Sequence, residues 1–215
     1  MKKTGEGPDI GMPRSSPREG DEAPLSIFDD MRRWCEGRSW HVRLPLLIYF
    51  AWVGIRQVLD PRYWSLFDSL NLPIHEAGHL LFRFDGDFLC AAGGTILQLA
   101  APIASAVMFF RQRDYFAIAV CSGWLSTNLY QIGVYVADAR AQALDLVTVG
   151  EPQGPIRHDW NYMLGELGLL EYDAALGWLV CQTGLLAMLA CLGGGVWLLW
   201  HMFQSSARGS RGKAV

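Results

Sequence analysis

His75-Glu76-Ala77-Gly78-His79 sets two imidazoles four residues apart, with a carboxylate directly after the first. On an α-helix, residues at that spacing lie on one face a single turn apart, so both rings can reach one metal ion. The glutamate lies beside that face, where it can take a proton from a metal-activated water. Two histidines and a glutamate in apolar company must each find a partner, and one bound metal satisfies all three. The stretch around them, Asn71 to Phe84, reads as a helix. Pro73 suits its first turn with Asn71 or Leu72 before it, and Gly86 ends it after the Leu80-Leu81-Phe82 run.

A catalytic zinc takes three protein ligands and keeps one position for water, so His75 and His79 need a third partner. Asp138 is the first candidate, reachable if its helix packs beside the pentad helix. His158 or Asp159 is the next; in such a pair the second group can also orient a ligand. Asp85 follows His79 by six residues, a spacing used when the chain doubles back. That route usually needs a glycine three residues after the second histidine, where this chain has Phe82. Glu166 is a weaker candidate still. His41 and His201 fall at the edges of apolar runs and read as interfacial.

The elements that must hold these groups read as membrane helices. Hydrophobic residues make up 51% of the chain and charged residues 18%, below the roughly 25% of soluble domains. The charges also cluster, leaving long uncharged runs. The net charge of −3 gives no sign of a nucleic-acid partner. Five cysteines without a C-x-x-C read as small apolar residues rather than a disulfide framework.

The fold class expected is an all-α polytopic membrane protein of about four to five spans, the metal-binding helix being re-entrant or spanning. Residues 1–43 form a polar segment, disordered up to Pro24, in which Leu25 to Trp34 can make a short amphipathic surface helix. No signal-peptide core occurs in the first 40 residues. Residues 44–203 form the membrane domain, with spans at Leu44–Leu59, Thr95–Phe110, Tyr115–Ala137 and Ala174–Phe203. Phe84 to Gly94 reads as a turn-rich connector or short hairpin, in which Gly93-Gly94 lets another backbone come close. Residues 138–173 form an acidic extramembrane loop, and 204–215 a basic tail. Arginines before the first span, at Arg111 and Arg113, and in the tail place both termini in the cytoplasm in a four-span arrangement whose pentad segment dips in and returns; a fully crossing pentad helix gives five spans.

Polar residues recur inside the apolar runs. Asn128, Gln131, Tyr135 and Asp138 form one helical stripe, and Thr95, Gln98 and Ser105 another. Such groups at membrane depth face partners or a cavity, either as a hydrated chamber beside the metal or as helix-to-helix hydrogen bonds.

The pentad, the following Gly93-Gly94 and a later intramembrane acid resemble the site-2 protease family of intramembrane zinc metalloproteases, over roughly Ser65 to Asp138. The resemblance implies Zn2+ as cofactor and hydrolysis of peptide bonds in or near the bilayer. Its implied substrate is a membrane-spanning segment or its flank, and its third ligand an aspartate on a later helix. The family's Asn-Pro-Asp-Gly or Leu-Asp-Gly motif is absent after the pentad; Asp138 stands instead in Val-Ala-Asp-Ala-Arg. The metal set is then His75, His79 and Asp138, with Glu76 as general base. The alternative is a non-catalytic membrane protein, a scaffold or small transporter, with a structural metal or none. A di-iron desaturase or hydroxylase would need many more histidines than the five present.

Overall fold

The computed structural model describes residues 26–144 and 158–211. The expected disorder up to Pro24, the Gly-Glu-Pro-Gln-Gly-Pro stretch and the end of the basic tail lie outside the described residues. Among the described residues every regular element is helical: α1 (Ile27–Cys35), α2 (Leu44–Leu59), α3 (Asp68–Leu81), α4 (Asp87–Arg111), α5 (Tyr115–Ala137), α6 (Asp159–Glu166) and α7 (Asp173–Arg211). A 3-10 turn at Leu170–Tyr172 leads into α7. The segments Asp87–Arg111 and Leu170–Arg208 are long and apolar enough to cross a membrane. Helix α5 buries Ser126, Thr127 and Asn128 of its polar positions in the bundle.

The path of the chain follows from which levels touch. Trp34 packs on Tyr115, and Asp30 pairs with Arg113 at 2.9 Å, so α1 sits at the pole formed by the α4–α5 turn. Cys35, Leu198 and Met202 share the core there, which brings in the end of α7. Helix α2 leaves this pole. Asp60–Phe67 then doubles back along it: Tyr63 lies beneath the Arg56 guanidinium, Leu66 N–H donates to the Tyr49 hydroxyl, and Phe67 stacks on Phe50. Helix α3 therefore starts at mid-height and runs outward to the opposite pole, where α6 and the start of α7 lie. The Arg140 guanidinium clamps the buried Asp173 carboxylate at that second pole, at 2.9 and 2.7 Å.

Small residues set the helix spacing. The α5–α7 contact is the most extensive in the molecule. Gly133 faces Gly177 and Cys181 across it, and the Ser126 hydroxyl donates to the Gly184 carbonyl at 2.7 Å. Close backbone approach of this kind drives helix association where no water can. Gly54 and Gly195 make room for Met188 and Leu47 where α2 meets α7.

Two boundaries differ from expectation. The pentad helix begins at Asp68, so Pro73 lies inside it rather than in its first turn. The Asp68 carboxylate reaches back to the Ser65 N–H and hydroxyl, closing the turn that starts the helix five residues earlier than the proline suggests. Phe84 to Gly94 is not a hairpin. Gly86, at φ +95°, does not end α3 but stands just before α4, whose first two turns carry Gly93 and Gly94. The reading that these glycines admit a close backbone holds. A methyl group at Gly78 would strike the Gly93 carbonyl, so α3 and α4 cross nearly in backbone contact. Glycine's helix penalty of about 1 kcal/mol is accepted in return for that packing.

Candidate metal centre

The α3–α4 crossing fixes His75 and His79. A Cβ at Gly94 would lie 2.5 Å from His75 Nε2, so the glycine leaves the volume that the ring fills. The two rings stand 4.8 Å apart at 80°. Each is oriented from behind through Nδ1. His75 Nδ1 meets Gln98 Oε1 at 2.9 Å, and His79 Nδ1 meets the Cys90 carbonyl at 2.7 Å. Both partners accept, so each Nδ1 carries a proton and each ring turns its Nε2 toward the site. The Gln98 amide donates in turn to Gln131 Oε1 at 2.6 Å, tying the α4 stripe to the α5 stripe.

The third group is Asp159. Its Oδ2 lies 3.4 Å from His75 Nε2 and 3.4 Å from His79 Nε2. All three ligand atoms fall within 4.8 Å of one another, and they are the one such His/Cys/Asp/Glu cluster among the described residues. Side-chain exposure is 12%, 22% and 15% for His75, His79 and Asp159, which is shielded yet reachable by water. Burial pushes the Asp159 carboxyl up, but hydrogen bonds and charge from His75 and His79 outweigh it and hold the group down to about 2. It is a ready anionic ligand.

Asp138 does not join the imidazoles. It ends α5, where its two oxygens accept from Ala143 N and Leu144 N at 3.0 Å each. Oδ2 also faces His158 Nε2 at 3.6 Å. His158 is the N-cap of α6, its Nδ1 accepting from Asn161 N at 3.2 Å. Burial holds this imidazole below its usual range, in keeping with a neutral ring that accepts at Nδ1. Asp138 and His158 thus seat the helix whose first residue is Asp159. Asp85 and Glu166 are exposed and outside the cluster.

Tyr135 joins the two layers. Its hydroxyl is 3.4 Å from Asp159 Oδ2 and accepts from Asp159 N at 3.2 Å, while its ring packs 4.2 Å from His158. Sequence reading placed Tyr135 in a polar stripe without a role; its register with Gln131, one turn away, was the available signal. Glu76 follows His75 on α3 and is half-buried. Ser105 bonds only to the Ala101 carbonyl of its own helix, and Asn128 donates to the Trp124 carbonyl of its own. These two belong to the bundle.

Comparison with protein families, characterised proteins and solved structures finds no match to this chain.

Proposed function

We propose that the protein is a membrane-embedded zinc metallopeptidase whose metal is held by His75, His79 and Asp159, with Glu76 as general base. The observation that carries the reading is the convergence of two Nε2 atoms and one carboxylate oxygen, each imidazole held through Nδ1 by an acceptor. That is the donor set and the supporting arrangement of a catalytic zinc site. Among the described residues no fourth protein group joins, which leaves a position for water and weighs against a purely structural metal. Zinc bound there would lower the pKa of water and polarise a carbonyl oxygen. Glu76, beside the ligand face, takes the proton from the attacking water and returns it to the leaving amine. Gln98 and Tyr135 hold His75 and Asp159 in place while charge develops.

The membrane reading rests on the outer surface. Ile96, Ile103, Val107 and Phe110 of α4 are exposed, as are Ile48, Trp52, Ile55 and Val58 of α2 and Leu179, Leu186, Leu189 and Val196 of α7. Apolar stripes of this extent on three helices have no place on a monomer in water and match a lipid-facing belt. In this reading α2, α4, α5 and α7 cross the bilayer and α3 re-enters it. The pole carrying Arg32, Arg33, Arg38, Arg43, Arg111 and Arg113 is the cytoplasmic one. The metal site lies toward the other pole, with Asp159 at the start of α6. Its substrate is a membrane-spanning segment or its flank.

The test uses the full chain in lipid nanodiscs with a reporter peptide carrying one transmembrane segment. Glu76→Gln is expected to keep its zinc and lose about 10²–10⁴ in cleavage rate. Undiminished turnover by that variant would overturn the mechanism.

A further inference from the structure

A second polar recess lies at the pole opposite the metal centre, between α1 and the end of α7. Arg32, Glu36, Gly37, His201, Gln204, Ser205 and Arg208 enclose about 600 Å³ there. Among the described residues neither guanidinium is tightly paired: Arg32 lies 3.7 Å from Asp29 with both side chains at least half exposed, and Arg208 donates to the Gln204 carbonyl at 3.4 Å. Arg32 of α1 and Arg208 of α7 both line the recess together with His201. The lining carries two guanidinium charges against the single Glu36 carboxylate, which leaves one positive charge. Aromatic contacts lie on the neighbouring parts of the chain: Phe28 packs on Trp197, Trp197 on His201, and Trp40 on Phe203. Ile27 and Phe28 of α1 and Trp200 of α7 are left exposed beside it.

We propose that this recess binds a phosphodiester monoanion, with Arg32 and Arg208 on its oxygens. Guanidinium forks suit phosphate oxygens, and one net positive charge matches a phosphodiester. Glu36 repels a dianionic phosphomonoester and accepts from a hydroxyl carried by the same ligand. Given the membrane reading above, these aromatic residues put the recess at headgroup depth, where an anionic glycerophospholipid supplies such a group. Free inorganic phosphate, largely a dianion at neutral pH, is the competing occupant that Glu36 should turn away.

Native mass spectrometry of the full chain released from nanodiscs separates these sources. One preparation contains phosphatidylglycerol with phosphatidylcholine, another phosphatidylcholine alone, and a third phosphatidylcholine with millimolar inorganic phosphate. One retained phosphatidylglycerol per chain, lost at least tenfold in Arg32→Gln/Arg208→Gln, supports the lipid source. Inorganic phosphate retained in place of the lipid overturns the proposal, since that dianion is what Glu36 should exclude. Equal retention of both phospholipids, or retention of the anion unchanged in the double variant, overturns the proposal. Zinc content is read in the same spectra. A folded double variant keeps its zinc, so failure of this recess and failure of the metal site are told apart.

Discussion

Asp159 Oδ2 stands 3.4 Å from each of three groups, His75 Nε2, His79 Nε2 and the Tyr135 hydroxyl. A bound cation would take the place now shared by the two imidazole contacts and leave Tyr135 as the carboxylate's remaining partner. Tyr135→Phe should therefore keep the fold and weaken zinc binding by about 10–100-fold, as loss of a hydrogen bond behind a ligand generally does. Gln98→Leu should do the same through His75. Titration against a competing chelator checks both, and unchanged affinity in both variants would show that neither group positions a ligand. At this scale the pentad was legible because a turn of helix fixes its geometry from spacing alone. The choice of Asp159 over Asp138 was not. The two lie twenty-one positions apart, and which one reaches the imidazoles depends on His158 capping α6 and on Asp138 bonding the backbone beyond α5.

The α3–α4 pair carries the site, and its weak point is the glycine contact. Gly78→Ala would drive a methyl into the Gly93 carbonyl, where backbone has to yield. Overpacking of this kind costs about 1–3 kcal/mol. The variant should melt earlier and bind zinc more weakly, because His75 and His79 flank the contact on the same helix. Gly193→Ala is the control, since nothing lies within 4 Å of a Cβ there. It should leave melting and zinc unchanged; equal loss in both variants would remove the case for a special contact. Helix α5 was legible to its end residues, Tyr115 and Ala137, because Asp114 caps it and no charged residue falls between them. The start of α4 was not, since Gly86, Gly93 and Gly94 read locally as turn. The partner surface of α3, invisible in local sequence, is what makes a helix the better use of them.

Across the whole molecule, two poles of different chemistry face each other. Arginines gather around α1 and the α4–α5 turn, while Asp138, Asp159, Glu171 and Asp173 gather near α6. If α2, α4, α5 and α7 cross the bilayer and α3 re-enters, reporter fusions at the C-terminus and after Arg113 report the cytoplasm, and one after Glu166 reports the far side. A C-terminal fusion on the far side would favour a fully crossing α3. The helical class and the apolar runs were legible from composition. The fold-back of Asp60–Phe67 was not, because it rests on Tyr49, Phe50 and Phe67 meeting across a turn.

The central claim is that one metal sits on His75, His79 and Asp159. Its most direct test is the zinc content of the purified full chain beside Asp159→Ala, Asp138→Ala and the double variant His75→Ala/His79→Ala. The account predicts about one zinc per chain in the native protein, as a mononuclear site requires. Zinc should be retained in Asp138→Ala and lost in the other two. Zinc kept by Asp159→Ala and lost by Asp138→Ala, or zinc that survives removal of both histidines, would contradict it.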